Sequence, residues 1–308
     1  MTNKIVAVQG NHPSKLNPIT DTSVFLANEI QNKNYKIFYY DPKDLSVINS
    51  KVIASGFFIK FDYSKKKFFK ILKKQKLDLT KCKFILIRQD PPFNLEYISA
   101  TYILDTIKDK VKILNNPTSI RNISEKLFSV KYQKYMPNTI FTQNIDEIKN
   151  FFKMHKKVIL KPIHSYSGND IHLLNKFNLK LIKKFIKKHD HIMCQKYLPK
   201  INKGDKRVFL INGKVCGAIS RIPKKGSFLS NMSKGAKPIN IKLTKTENKI
   251  SKLVAKDLKK ENIYFAGIDF IDQKLNGDIN VTSPTGLKTL FDLSGINLAK
   301  TFWDELKT

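Results

Sequence analysis

Short apolar runs alternating with helix-patterned stretches dominate the first third of this chain, and few folds satisfy that alternation. Residues 4 to 9 (Lys-Ile-Val-Ala-Val-Gln) read as a first strand, Tyr35 to Tyr40 as a second, and Lys83 to Ile87 as a third ending at Arg88. A short strand, Val111 to Leu114, is closed by Asn116-Pro117. Between them, residues 21 to 32 suit a helix with Asp21 or Thr22 as N-cap, and residues 95 to 108 suit another. A helix between successive strands implies a parallel sheet with helices on its faces. The spacing therefore predicts an open α/β lobe over residues 1 to 122.

The remainder has a different rhythm. Ser119 to Tyr135 is helical in pattern. Thr139 to Thr142, Lys157 to Lys161, Ile171 to Leu174 and Ile192 to Lys196 read as strands, with helices at 145 to 155 and 176 to 188. From 205 onward the chain is mostly β. Lys206 to Ile211 and Lys214 to Arg221 flank the turn Asn212-Gly213, and Tyr264 to Ile271 and Asp278 to Thr282 flank a turn containing Asn276-Gly277. Residues 223 to 240 carry Gly, Ser, Lys, Asn and Pro without apolar periodicity, the mark of a long functional loop. Helices are expected at 245 to 260 and near 295 to 306.

Of 57 basic residues only four are arginine: Arg88, Arg121, Arg207 and Arg221. The formal charge of +32 raises a nucleic-acid-binding protein as a rival reading. Base readers favour the bidentate guanidinium fork, which this chain nearly lacks, so no nucleic-acid partner is expected. The lysine runs at 65 to 67, 183 to 184 and 187 to 188 read as solvated helix faces. Where lysine serves for any plain positive charge, the few arginines should mark positions that need the fork. The three cysteines, Cys82, Cys194 and Cys216, show no paired spacing. No apolar stretch approaches the ~20 residues of a bilayer span, and a signal peptide is not expected. The expected compartment is the cytoplasm, with no membrane partner.

Asp278 and Asn280 lie two apart on a strand and share a face. Asp269 joins that face whenever the numbers of opposed residues in the hairpin sum to an odd value. Two carboxylates and an amide oxygen suit Mg²⁺ against nucleotide phosphates; the same pattern also suits the solvent-facing side of an edge hairpin. Lys161 ends a strand before Pro162, and Lys126 sits in Ser-Glu-Lys-Leu-Phe. Either could pair with a phosphate. The small-residue loop 162 to 170 could wrap phosphates with backbone N–H groups, although Gly168 is its one glycine. Arg207 begins a strand, Arg221 ends the next, and Arg88 stands at a carboxyl strand end where open α/β sheets bind ligands.

Taken in order, several segments resemble bacterial glutathione synthetase, an ATP-grasp family. They include Arg-Gln-Asp-Pro-Pro-Phe (88 to 93), Ala-Thr-Tyr-Ile-Leu (100 to 104), Asn-Pro-Thr-Ser-Ile-Arg (116 to 121), Glu-Lys-Leu-Phe (125 to 128) and Ile-Leu-Lys-Pro (159 to 162). Gln-Lys-Tyr-Leu-Pro (195 to 199), Gly-Asp-Lys-Arg-Val (204 to 208), Arg-Ile-Pro (221 to 223), Gly-Ile-Asp (267 to 269) and Ile-Asn-Val-Thr-Ser-Pro-Thr (279 to 285) continue the series. The resemblance implies an N-terminal substrate-binding lobe (1 to 122) and a two-lobed ATP-grasp fold (123 to 200 and 201 to 308, with a lid at 223 to 240). It implies ATP-dependent joining of γ-glutamylcysteine to glycine through an acyl phosphate, and a homotetramer; another acid–amine pair is the alternative. Lys126 and Lys161 would hold the ATP phosphates, Gln195, Lys196, Tyr197 and Leu198 the adenine, and Asp205 would lie at the nucleotide. Asp269, Asp278 and Asn280 would bind two Mg²⁺ or Mn²⁺ ions. Arg88, Arg207 and Arg221 would contact the dipeptide and the acyl phosphate, Arg207 and Arg221 as catalytic groups. Three positions depart from the family pattern: the glycine-poor loop 164 to 169, Asp278 in place of Glu, and Leu229 in place of a lid arginine.

Overall fold

The computed structural model describes residues 4 to 63, 65 and 67 to 306; Lys66 of the 65 to 67 run lies outside them. Three sheets, each with its own apolar core, make up the described chain.

The first sheet holds β1 (Ile5–Gln9), β2 (Lys36–Tyr40), β3 (Leu45–Ile48), β4 (Lys51–Phe61), β5 (Phe69–Asp78), β6 (Phe84–Ile87) and β7 (Lys112–Leu114). Strands β2, β1, β6 and β7 run parallel in that order, as the alternation requires. Helix α1 (Thr22–Gln31) is capped by Asp21, whose carboxylate accepts from Val24 N at 2.7 Å. Helix α2 (Leu95–Asp105) is capped by Asn94 and stops short of 108. Between residues 41 and 82, where the sequence pattern predicts no strand, β3, β4 and β5 form an antiparallel meander. Its turn at Asn49 and Ser50 takes φ of 49° and 60°, the mirror-image turn of tight hairpins. Among the described residues strand β5 pairs only with β4, and Lys70, Lys73, Lys74 and Lys76 stand exposed along it, which discourages edge-to-edge pairing.

The helical pattern expected over 119 to 135 is broken in two. Helix α3 (Pro117–Asn122) ends at Ile123, whose ψ of 95° is extended, and a 3-10 segment runs Leu127–Tyr135. Between them the Glu125 carbonyl accepts from Ile279 N at 2.9 Å, a tertiary bond that overrides local propensity.

The second sheet has the order β10-β9-β11-β8, from β8 (Thr139–Thr142), β9 (Val158–Pro162), β10 (His172–Leu174) and β11 (Ile192–Lys196), all antiparallel. Helices α4 (Ile145–His155) and α5 (Leu179–His189) bury Ile148, Phe151, Ile182 and Phe185 against it. Their lysine faces, including Lys183, Lys184, Lys187 and Lys188, are exposed.

The third sheet runs β14-β13-β12-β15-β16, from β12 (Asp205–Ile211), β13 (Lys214–Ile222), β14 (Lys237–Asn240), β15 (Phe265–Ile271) and β16 (Lys274–Asn280). Strand β14 takes the last four residues of the stretch expected to be loop. Helix α6 (Lys245–Lys260) begins with a capping box between Thr244 and Glu247. The second hairpin turns at Asp272 and Gln273, not at Asn276-Gly277. Gly277 instead lies in β16 at φ 84°, where a Cβ would strike Met193 and Met136.

The helix expected near 295 to 306 is α8 (Leu298–Asp304), and an unexpected helix, α7 (Leu287–Ser294), precedes it with Gly295 as its C-cap; among the described residues these are the last two helices in chain order. Both join a core shared by the first and third sheets, in which Trp303 Nε1 donates to Leu26 O at 2.8 Å.

Candidate active site

The second and third sheets enclose a cleft between them. Ile159, Ile201, Ile271 and the segment 195 to 198 line it with Lys126, Lys161, Asp205, Arg207, Arg221, Asp269, Asp278 and Asn280. The structure thus gathers twelve of the thirteen sequence-derived site residues here. Arg88 is the exception. It is buried at the end of β6, where Nε donates to Ser23 Oγ (3.0 Å) and Nη2 to Pro284 O (2.9 Å). Ser283 Oγ donates back to Arg88 O at 3.2 Å, so this arginine staples the loop after β16 to the first lobe.

Two charge clusters occupy the cleft. In the first, Arg207 grips Asp269 with both prongs, Nε to Oδ1 at 2.5 Å and Nη2 to Oδ2 at 2.9 Å. Arg221 forks onto Asp205, with Nε to Oδ1 at 2.7 Å and Nη2 to Oδ2, and Nη2 also lies 3.1 Å from Asp269. The pairing follows from register: antiparallel β12 sets Arg207 opposite Asp269 on β15 and Asp205 opposite Arg221 on β13. All four side chains are buried. Burial pushes the Asp269 carboxyl up, but Arg207 and Arg221 together overcome it and hold it at about 2. For Asp205 burial outweighs Arg221, and the nearby Asp269 adds to the upward push.

In the second cluster, Lys161 Nζ donates to Asn276 O and Oδ1 (both 3.1 Å) and to Asp278 Oδ2 (3.3 Å). Lys126 Nζ donates to Ser165 O (2.8 Å) and Ile163 O (3.4 Å) and lies 3.5 Å from Asp278 Oδ1. Burial raises the partly buried Asp278, and the two ammonium groups more than reverse it.

Asp278 and Asn280 share a face of β16, and the register opposes Gly267 to Asn280 and Ile268 to Ile279, so the opposed numbers sum to an odd value. Asp269 accordingly lines the same cleft. Among the described residues, no three His, Cys, Asp or Glu side chains gather closely enough to hold an ion by themselves. The set fits an ion shared with phosphate, because two carboxylates and an amide leave coordination positions for phosphate oxygens. Asn280 Nδ2 donates to Gly267 O at 3.0 Å, which leaves its Oδ1 for a cation.

Gln195 Nε2 donates to Thr139 Oγ1 (2.9 Å) and Asn276 O (3.4 Å), fixing the start of the hinge formed with Lys196, Tyr197 and Leu198. The loop over the cleft places Phe228, Leu229, Ser230 and Asn231 along its wall. Gly168 leaves no room for a Cβ beneath Asn231, and Lys234 Nζ donates to Asn169 Oδ1 at 2.9 Å, so this loop meets the 165 to 169 loop directly. Sequence reasoning missed Asn276, assigned to a turn, and gave no role to Glu125 or Thr282. The quoted segments 125 to 128 and 279 to 285 contained the last two.

The fold is that of the ATP-grasp ligases. The described chain aligns with the ATP-grasp ligase PsnB over 100% of its length (99% of that chain; TM-score 0.66, 13% identity). It aligns with D-alanyl-alanine synthetase A from Vibrio cholerae over the whole of both chains (TM-score 0.63, 15% identity). Within that class, residues 5–121 match the prokaryotic glutathione synthetase N-terminal domain and residues 125–295 its ATP-grasp domain. Glutathione synthetase of Agrobacterium fabrum is 32% identical over 99% of this chain and 96% of its own length; that of Buchnera aphidicola is 36% identical over 96% and 93%. The chain belongs to the prokaryotic glutathione synthetase family.

Proposed function

We propose that the chain performs the ligation for which its family is named: ATP-driven joining of γ-glutamylcysteine to glycine, giving glutathione, ADP and phosphate. The observation that carries the reading is a single cleft in which Lys126, Lys161, Arg207, Arg221 and three oxygen donors converge beside the 195 to 198 segment and the apolar side chains of Ile159, Ile201 and Ile271.

A carboxylate resists attack by an amine. Transfer of the γ-phosphoryl group makes an acyl phosphate; the glycine amine attacks its carbonyl, phosphate leaves with the C–O electron pair, and the nitrogen gives up a proton, which the departing phosphate can take, to leave the amide. Such transfer depends on positioning and charge neutralisation. Lys126 and Lys161 hold the phosphates, and the hinge from Gln195 to Leu198 holds the adenine between Ile159, Ile201 and Ile271. Asp205, locked to Arg221, fixes the cluster at the nucleotide. Arg207 and Arg221 bind the acid and stabilise its phosphorylated form, and Arg88 steadies the dipeptide side of the site through the 281 to 285 loop. ATP and a divalent metal serve the reaction. Asp269, Asp278 and Asn280 would hold two ions, Mg²⁺ or Mn²⁺, which neutralise charge on the transferring group. The lid keeps water from the acyl phosphate. Small molecules are the partners, nucleic acid is not, and the protein works as a homotetramer in the cytoplasm. Among the described residues no helix is long and apolar enough to cross a membrane.

A coupled assay for ADP tests this reading. Release is expected only when both γ-glutamylcysteine and glycine are present. A second reading, a ligase for another acid–amine pair, draws on the apolar Phe228-Leu229 stretch along the cleft. Strong ADP release with a different pair, and none with γ-glutamylcysteine, would select it.

A further inference from the structure

Glu125 lies directly before Lys126 and lines the same cleft, yet the proposed chemistry gives it no task. Its contacts are unusually concentrated. One carboxylate oxygen, Oε1, accepts from Val281 N (2.8 Å), Thr282 N (3.0 Å) and Thr282 Oγ1 (2.9 Å). Its backbone carbonyl accepts from Ile279 N at 2.9 Å. These four bonds straddle Asn280 and begin one residue beyond Asp278, across a sequence separation of more than 150 residues. Three donors on one oxygen fix its position closely.

The neighbouring side chain completes the geometry. Lys126 reaches the 163 to 165 loop through two carbonyls and Asp278 through its carboxylate. The dipeptide 125–126 therefore ties the strand bearing the cation donors to the loop beneath the lid. The irregular course of β16 adds to the need for such a tie. Its register shifts between Ile268 and Phe270, so the β15–β16 ladder alone does not fix where Asp278 and Asn280 fall.

We propose that Glu125 is a positioning residue: by clamping the backbone on both sides of Asn280, it sets Asp278 and Asn280 in register with Lys126 and so tunes the affinity of the site for its divalent cation. The proposal rests on the metal-binding reading above. Outer partners that orient metal ligands typically carry about 10- to 100-fold in metal affinity.

The test is equilibrium Mn²⁺ binding to the full chain in the presence of ADP, followed by the electron paramagnetic resonance of free Mn²⁺, with thermal unfolding measured in parallel. Glu125→Ala is expected to raise the Mn²⁺ Kd by at least about tenfold. Glu125→Gln keeps an acceptor oxygen at the same reach and is expected to stay within about threefold of the parent. Thr282→Val removes one of the three donors and is expected to weaken Mn²⁺ binding by a smaller factor in the same direction. A Glu125→Ala protein that unfolds earlier but binds Mn²⁺ like the parent overturns the proposal, because a purely structural residue would behave that way. Should Glu125→Ala fail to fold, unchanged Mn²⁺ affinity in Thr282→Val overturns it equally. If the parent itself binds no Mn²⁺ with ADP, the metal-binding reading is what fails, and the proposal falls with it.

Discussion

The two charge clusters of the cleft carry similar charges in different chemistries. Around Asp205 and Asp269 the cations are guanidinium forks, each engaged by two prongs and buried with its carboxylates. Around Asp278 the cations are ammonium groups, each spread over several acceptors at 2.8 to 3.5 Å. A planar fork matched to a carboxylate makes a fixed scaffold; an ammonium on a flexible stem can exchange one anion for another. On the proposed function, the first cluster fixes the geometry that Arg207 and Arg221 present to the acid, and the second is free to exchange its carboxylate for phosphate.

Asp269→Ala should separate the clusters most sharply. It strips Arg207 and Arg221 of a buried counter-ion, and breaking a buried pair costs about 3–5 kcal/mol. Chemical denaturation should show that loss together with the disappearance of turnover. Arg221→Lys comes next. The charge survives but the fork does not, and kcat should fall by roughly a hundredfold, the scale of losing one preorganised donor. Wild-type turnover in Arg221→Lys would erase the distinction between the clusters.

Lys161→Gln should behave differently. The amide can still bond Asn276, so the unfolding midpoint should move little, while KM for ATP should rise by about tenfold, the usual scale of one charge-assisted contact. An unfolding loss as large as that of Asp269→Ala would mean that the lysine cluster is scaffold too. Smallest of all should be Lys183→Gln with Lys184→Gln on the exposed face of α5, within about 0.5 kcal/mol of the parent.

Local chemistry decided what the sequence revealed. Helix α6 was legible from end to end because Thr244 and Glu247 form a capping box. The β12–β13 hairpin was legible because Asn212 and Gly213 take the positive φ values, 49° and 77°, of its tight turn. Helix α7 was not, because Gly286 begins it without a side-chain cap. The break at 123 to 126 was hidden because the bonds that cause it come from residues 279 to 282. The same contrast holds for the cleft. Parity along one strand placed Asp278 and Asn280 on one face and left Asp269 conditional on the hairpin register, which the β15–β16 pairing supplies, and the arginine forks on Asp205 and Asp269 depend on the cross-strand register of β12 with β13 and β15. Scarcity of arginine did point to the fork: Arg207 and Arg221 both use it. Arg121 is paired with Asp105 at 2.6 Å and stacked 4.1 Å from the Tyr102 ring centre.

In this cleft the terminal phosphate of ATP is expected to activate an acid. Turnover of γ-glutamylcysteine carrying ¹⁸O in its cysteinyl carboxylate, with glycine and unlabelled ATP, tests it most directly by mass analysis of the phosphate released. One labelled oxygen in each phosphate is the expected result. Phosphate free of label, released alongside glutathione, would contradict the account.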